Sequence, residues 1–125
     1  MPKTTSQQIL QLERAQARAL NQRHLLGALQ MFDRGFVGFS STRHKRIRGM
    51  GALRKTFEYY LKRAPKLTYQ IKQPHVSVNG GTAVATFYWT VQLGRGRKIH
   101  GRGTHVFTKQ GKSWRVVHEH FSRAH

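Results

Sequence analysis

The fold is decided by the stretch Trp114-Arg115-Val116-Val117-His118-Glu119-His120-Phe121-Ser122. It is predicted to be the last strand of a curved sheet. Because side chains alternate along a strand, one face carries Val117, Glu119 and Phe121, and the other carries Val116, His118 and His120. Apart from Glu119, these residues are apolar, aromatic or histidine, so we expect both faces to be covered. We predict that the first face lines a pocket and that the second packs against another subunit.

The preceding sequence predicts helices first and strands second. Apolar spacing predicts helices over residues 6–21, 25–32 and from 50 or 51 to 63, and a short strand over 36–40. Three longer strands are predicted over 67–78, 82–93 and 98–108, and Pro74 indicates an edge or a bulge in the first of them. This order is typical of an α+β fold, a bent antiparallel sheet closed by helices. The length of 125 residues fits one domain, residues 1–125.

The charge is strongly one-sided. Lysine and arginine number 23 against 4 aspartates and glutamates, giving a formal net charge of +19. Such a charge attracts polyanions, which favours a nucleic-acid binder; a surface made cationic by engineering, or by an unusual native setting, is the alternative. The basic loop over residues 41–51 is either a solvated loop or a phosphate-binding loop. The aromatic residues are predicted for the core and not for an exposed platform among the arginines.

The cellular setting is predicted from what the sequence lacks. The chain has no cysteine, and its apolar runs are too short to cross a bilayer. Its first residues lack the apolar region of a signal peptide. We therefore expect a soluble, cytoplasmic protein without a membrane span.

Four stretches of the chain carry a family resemblance. They are Ala19-Leu20-Asn21, Phe32-Asp33-Arg34-Gly35-Phe36, residues 74–78 with 82–85, and residues 111–122 with their Gly-x-x-Trp-x-Val-x-His-x-His-x-Ser pattern. Together they resemble the NTF2-like superfamily, and within it the SnoaL-like branch that includes ketosteroid-isomerase-like proteins. The association domain of calmodulin-dependent kinase is similar too. The resemblance implies a cone-shaped α+β fold, while the functions that this fold hosts range from isomerases to scaffolds.

Several positions depart from the family pattern, and most of them have lost an acid. His24 stands where the family has an aspartate before helix 2, and turns that usually carry aspartate read Gly80-Gly81 and Gln110-Gly111. The cations, in contrast, are spread over predicted helices, strands and loops and are not gathered in one segment. We therefore hypothesise that the exposed surface of a SnoaL-like domain was deliberately supercharged.

The predicted pocket follows from strand alternation and from the resemblance. Glycines at 101 and 103 are expected to lie opposite Trp89 and Phe87 and to give these rings room. The resemblance places Trp89, His105 and Phe121 where the kinase association domain has pocket arginines. The predicted wall is Trp89, His105, Glu119 and Phe121, closed by Phe57, Tyr60, Phe36 and Phe39.

Two interpretations of this pocket remain open. His105 and Glu119, with Tyr60, are candidates for a general acid–base pair in an isomerase, cyclase or dehydratase; alternatively, Glu119 is a hydrogen-bonded core residue. Phe39 aligns with the catalytic aspartate of ketosteroid isomerases, which disfavours steroid isomerisation. No cofactor is expected.

The opposite, convex face is predicted to form a two-fold dimer interface, as the resemblance implies. Its residues are Tyr88, Val106, Val116, His118 and His120. A metal site is disfavoured because zinc needs three or four ligands and His100 is the only available third.

Three functions are thus carried forward. The first is a homodimeric pocket domain that takes a small apolar ligand and has a cationic, engineered surface. The second is an enzyme that uses His105 and Glu119. The third is a nucleic-acid binder whose affinity is non-specific and strongly salt-dependent.

Overall fold

In the computed structural model, which describes residues 2–63 and 66–124, three helices pack on a six-stranded sheet. The helices are α1 (Thr5–Asn21), α2 (Leu25–Leu29) and α3 (Gly49–Arg63). The strands are β1 (Phe32–Phe39), β2 (Ile47–Arg48), β3 (Leu67–Asn79), β4 (Thr82–Leu93), β5 (Lys98–Gln110) and β6 (Ser113–Arg123). The strand order is β2-β1-β6-β5-β4-β3, antiparallel except for the parallel pair β1 and β6. The predicted α+β class is confirmed.

The second helix is shorter than predicted. It ends at Leu29, and β1 begins at Phe32. The chain is already joined to β6 at Met31, whose carbonyl oxygen accepts a backbone hydrogen bond of 2.8 Å from Val116 N. His24 occupies the N-cap position, as expected, and its side chain makes no capping hydrogen bond.

Helix α1 is fixed at both ends. Thr4 and Gln7 form a capping box, in which each side chain accepts a hydrogen bond from the backbone N–H of the other. At the other end the Asn21 amide donates to Tyr69 O at 2.9 Å and accepts from Tyr69 N at 2.7 Å. These contacts tie α1 to β3 and set which side of the helix faces the sheet.

A β-bulge in β6 changes the strand phase that the sequence predicts. Val106 pairs with His118, but the next residue, Phe107, pairs with Val116, so Val117 is an additional residue without a partner in the ladder. Val116 therefore points inward and is completely buried in the core. Its predicted place in the convex interface is wrong, while the predicted phase holds from His118 onward, with Glu119 buried and His120 exposed.

The glycines of β5 occupy the predicted positions. Gly101 pairs with Trp89 and Gly103 with Phe87. A Cβ atom on Gly101 would come within 2.2 Å of the Trp89 ring, and one on Gly103 within 2.7 Å of the Phe87 ring. The missing side chains therefore let both rings lie across the neighbouring strand.

Strand β3 lies at the edge of the sheet, as Pro74 indicates. Its register shifts between Lys72 and His75, and Gln73 between them has a positive φ of 52°. The bulge lets the edge strand accommodate a proline, which has no N–H to donate.

Candidate functional site

A histidine held between two glutamates lies at the centre of the fold. His105 Nδ1 is 2.6 Å from Glu13 Oε2, and His105 Nε2 is 2.6 Å from Glu119 Oε1. The side chains of His105 and Glu13 are fully buried, and that of Glu119 is nearly so. We call these three residues the buried triad; it was predicted in part, as the pair of His105 and Glu119.

Three separate elements bring the triad together. Glu13 comes from α1, whereas His105 and Glu119 are directly paired residues of β5 and β6. The imidazole is surrounded by aromatic rings, whose centroids lie 5.4 to 6.1 Å from its own: Phe87, Phe121, Phe32 and Phe107. These rings exclude water, so the charges of the triad interact strongly.

The two carboxylates keep the imidazole protonated. Burial alone would lower the pKa of His105, since it disfavours the charged form. The negative charge of Glu13 and the hydrogen bonds to both glutamates outweigh burial and raise the pKa to about 10. At neutral pH the group is therefore an imidazolium that donates both of its N–H protons.

Further buried polar atoms lie on the elements around the triad. Within the described residues, Glu13 Oε1, Gln16 Oε1, Tyr69 OH and Trp89 Nε1 are buried and have no hydrogen-bond partner. Burial, together with the charges of Glu13 and Glu119, raises the pKa of Tyr69 well above its usual value. Tyr69 therefore remains a neutral hydroxyl that is available to donate a hydrogen bond.

The predicted pocket is largely filled by the side chains that were expected to line it. The Trp89 and Phe121 rings stack with their centres 6.0 Å apart and an interplanar angle of 20°. The centres of the Phe57 and Phe32 rings lie 5.9 Å apart. Phe36 is buried in the same core, and Phe39 lies on the outer side of β1, at 5.5 Å from His120. Phe39 is thus outside the predicted pocket.

Tyr60 does not join the triad. Its hydroxyl lies 2.6 Å from Thr42 Oγ1, in the basic loop. Within the described residues no hydrogen bond connects Tyr60 to His105 or Glu119, so the tyrosine electrostatically coupled to the carboxylates is Tyr69 instead.

Glu13 is the site residue that the sequence reasoning missed. The buried residues of α1 are Ile9, Glu13, Gln16, Ala17 and Ala19, which places Glu13 four residues after Ile9 on the inner side. The spacing of Glu13 from Ile9 was the signal available in the sequence, because it places Glu13 on the apolar side of the helix. A carboxylate on the buried face of a helix requires a partner.

The sequence itself matches a known family over most of its length. The model of the SnoaL-like domain matches residues 9–125. The chain belongs to the SnoaL-like domain family. None of the curated proteins is similar enough in sequence to count as a relative.

Several solved structures share the fold of this SnoaL-like chain. An NTF2-like protein of unknown function from Pseudomonas putida superimposes with a TM-score of 0.87 at 23% identity, covering 92% of this chain and 83% of that one. A protein provisionally assigned as a dehydratase of the NTF2-like family, from Streptomyces avermitilis, gives 0.87 at 17% identity and covers 99% of each chain. A provisionally assigned calcium/calmodulin-dependent protein kinase II association domain from Xanthomonas campestris gives 0.84 at 17%, covering 98% and 89%. At these identities the likeness establishes the fold.

The convex face of this SnoaL-like sheet holds the other predicted interface residues. Tyr88 is 53% exposed, His120 is exposed, and Val106 and His118 are half-buried. His118 Nδ1 donates to Val37 O at 2.8 Å, and His100 Nδ1 lies 3.1 Å from Thr90 Oγ1. These two histidines are thus engaged with protein groups.

Proposed function

We propose that this SnoaL-like domain binds polyanions, nucleic acid foremost, through its whole cationic surface and without reading sequence. The observation that carries the proposal is the placement of the four acids. Glu13 and Glu119 are buried against His105, so Asp33 and Glu58 are the acids left to the surface. Both already have partners: Asp33 accepts from Gly35 N and Gln110 Nε2, and Glu58 pairs with Arg54.

The surface charge therefore exceeds the formal net charge. All 23 lysines and arginines lie in the described residues, and none of them is buried. The 23 surface cations and the two outer carboxylates give a surface charge of 23 − 2 = +21. The buried triad, with two carboxylates and one imidazolium, carries a charge of −1. A field of this sign attracts phosphate backbones from every side.

The spread of the cations favours binding without sequence preference. They lie on α1, on α3, on five of the six strands and on most loops. A site that reads sequence needs side chains placed against base edges, which a dispersed charge does not provide. The same spread supports the hypothesis of an engineered, supercharged surface.

Fluorescence anisotropy with labelled DNA duplexes of equal length tests this function. We expect duplexes of unrelated sequence to bind with equal affinity at about 150 mM salt, since phosphate contacts carry no sequence information. One duplex bound at least tenfold more tightly than the rest would contradict sequence-independent binding.

We also propose that the domain is a homodimer that associates through its convex sheet face. Tyr88, Val106, His118 and His120 share that face, and Tyr88 is the most exposed of the chain's described aromatic residues. The exposed Tyr88 ring is the apolar part of this face that a second copy would cover.

A second candidate function is acid–base chemistry on a small molecule inside the cone. The observation that favours it is that four buried polar atoms of the described residues, on the triad itself or on the elements that carry its neighbours, have no hydrogen-bond partner. A ligand with hydrogen-bonding groups would satisfy them. Such a ligand would be polar, in contrast to the apolar ligand predicted from sequence. The triad itself is less suited to proton transfer, because both ring nitrogens of His105 are already bonded to carboxylates.

Deuterium exchange at the α-carbons of a panel of small ketones, followed by proton NMR, tests the catalytic candidate. Exchange accelerated by the wild-type chain and lost in Glu119→Gln would support it. Equal exchange in both proteins would remove it, whereas polyanion binding would be unaffected.

A further inference from the structure

One region of the surface combines cations with an exposed aromatic ring. It consists of the loop before β2, which carries Arg43, His44, Lys45 and Arg46, together with Arg48 of β2 and Tyr59 and Arg63 of α3. We call it the loop–helix face. Tyr59 is 43% exposed, which corrects the expectation that no aromatic residue lies among exposed arginines.

Two guanidinium groups lie over the Tyr59 ring. Arg43 Cζ is 5.5 Å from the centre of the Tyr59 ring and Arg63 Cζ is 5.4 Å from it. Both distances are within the range of a cation–π contact. An aromatic ring flanked by arginines is the arrangement on which unpaired bases stack.

A cleft beside this ring has cationic walls. It has a volume of about 710 Å³ and is lined by Phe39, His44, Lys45, Arg46, Arg48 and Ala52. Arg46 Cζ lies 5.5 Å from the Phe39 ring centre. Among the described residues no acid lines this cleft, so a phosphate there would meet positive charge alone.

The loop and the helix are held together, so the cleft and the ring form one surface. The Tyr60 hydroxyl is 2.6 Å from Thr42 Oγ1, which fixes the start of the basic loop against α3. Ala52, Tyr59 and Arg63 follow spacings of seven and four residues and therefore share one side of the helix. With a rise of 1.5 Å per residue, the cleft wall at Ala52 and the Tyr59 ring lie roughly 10 Å apart along α3.

We propose that the loop–helix face is a binding site for single-stranded nucleic acid. A base stacks on Tyr59, and the adjoining phosphates occupy the cleft beside Lys45, Arg46 and Arg48. This inference rests on the proposed polyanion binding and adds a defined site to it. Single strands are favoured over duplex because only an unpaired base exposes its face for stacking.

The two arginines give the site a way to admit the base. An arriving base displaces one guanidinium from the Tyr59 ring, and the released group is free to pair with a phosphate. Arginine serves in either position, because its planar group stacks on rings and also donates two parallel hydrogen bonds to phosphate.

Anisotropy with a labelled 12-nucleotide oligothymidine and a 12-base-pair duplex tests the site. For the single strand, Tyr59→Leu is expected to lower affinity about fivefold or more, because it removes the stacking surface. Tyr59→Phe keeps that surface and is expected to bind like the wild type. The duplex affinity should change less than twofold in both variants.

A charge-matched pair of double variants separates the site from the overall charge. Arg43→Gln with Arg63→Gln removes two charges from the loop–helix face, and Lys109→Gln with Lys112→Gln removes two exposed charges from the β5–β6 hairpin. We expect the first pair to weaken single-strand binding at least threefold more than the second. Melting temperatures of the variants check that each remains folded.

The outcomes distinguish this inference from the proposed function. Equal losses in the two double variants, or unchanged binding by Tyr59→Leu, would overturn the site while leaving diffuse polyanion binding intact. Tighter binding of duplex than of single strand would also overturn it. Failure of the wild type to bind either DNA at low salt would overturn both.

Discussion

His105 Nε2 lies 2.6 Å from Glu119 Oε1, and the other ring nitrogen lies equally close to Glu13. The imidazolium thereby joins α1 to β6 across β5. Two of the four acids of the chain are therefore used inside the fold. The charged side chains left on the surface are 23 cations and two carboxylates.

The first prediction concerns the pH dependence of stability. The pKa of His105 is about 10 in the folded chain, against an ordinary value of 6.5, so the folded state holds a proton that the unfolded chain releases between these values. The stabilisation is complete below pH 6.5 and is lost as the pH rises toward 10. Urea unfolding at pH 6, 8 and 10 should show a loss on the order of a few kcal/mol.

His105→Gln provides the reference for that experiment, because it retains every other titrating group. Its free energy of unfolding should be lower at pH 6 and should change less between pH 6 and 10. If the wild type and the variant lost stability in parallel, His105 would not be the protonated group.

The second prediction compares a buried carboxylate with an exposed one. Glu119→Gln leaves the imidazolium with only one charged partner in a buried site, which should cost about 3–5 kcal/mol of unfolding free energy. Glu58→Gln breaks the exposed ion pair with Arg54, which should cost less than about 1 kcal/mol. Chemical denaturation measures both, and equal losses would mean that the triad is not a charged network.

The third prediction is that salt stabilises the folded chain. Repulsion among the surface cations opposes folding, and ions screen it with a Debye length of about 10 Å at 0.1 M and 3 Å at 1 M. The melting temperature should therefore rise from 20 mM to 500 mM sodium chloride. A melting temperature independent of salt would indicate that the cations are compensated.

The fourth prediction concerns the dimer. Sedimentation equilibrium should give a dimer whose dissociation constant falls as salt rises, because screening reduces repulsion between two cationic subunits. Tyr88→Glu should produce monomers by placing a charge in the interface. Tyr59→Glu adds the same charge at an exposed tyrosine on another face and should remain dimeric; monomers in both, or dimers in both, would remove the convex face as the interface.

Much of the fold could be predicted from sequence, because the spacing of apolar residues and the residues at turns determine strands and helices locally. The glycines opposite Trp89 and Phe87, and the bulge at Pro74, were correctly anticipated for this reason. The bulge at Val117 was not, since an additional residue in one strand is defined only by its pairing with the neighbouring strand. That one residue moved Val116 from the predicted interface into the core.

The candidate site was predicted only where its residues share a sheet. His105 and Glu119 are paired neighbours on adjacent strands, so alternation places them together. Glu13 is separated from His105 by 92 positions and belongs to a helix, and its role depends on how α1 rotates against the sheet. The Tyr59 contacts likewise depend on the path of the loop over α3.

The salt dependence of DNA binding is the decisive measurement for binding by the cationic surface. We predict that the affinity for a duplex of about 20 base pairs falls by roughly 10³ or more between 50 mM and 200 mM salt, as neutralising six or more phosphates requires. A logarithmic plot of affinity against salt should be straight and steep, and the same for unrelated sequences. A shallow slope, or affinity that persists for one sequence alone at high salt, would contradict binding by the cationic surface as a whole.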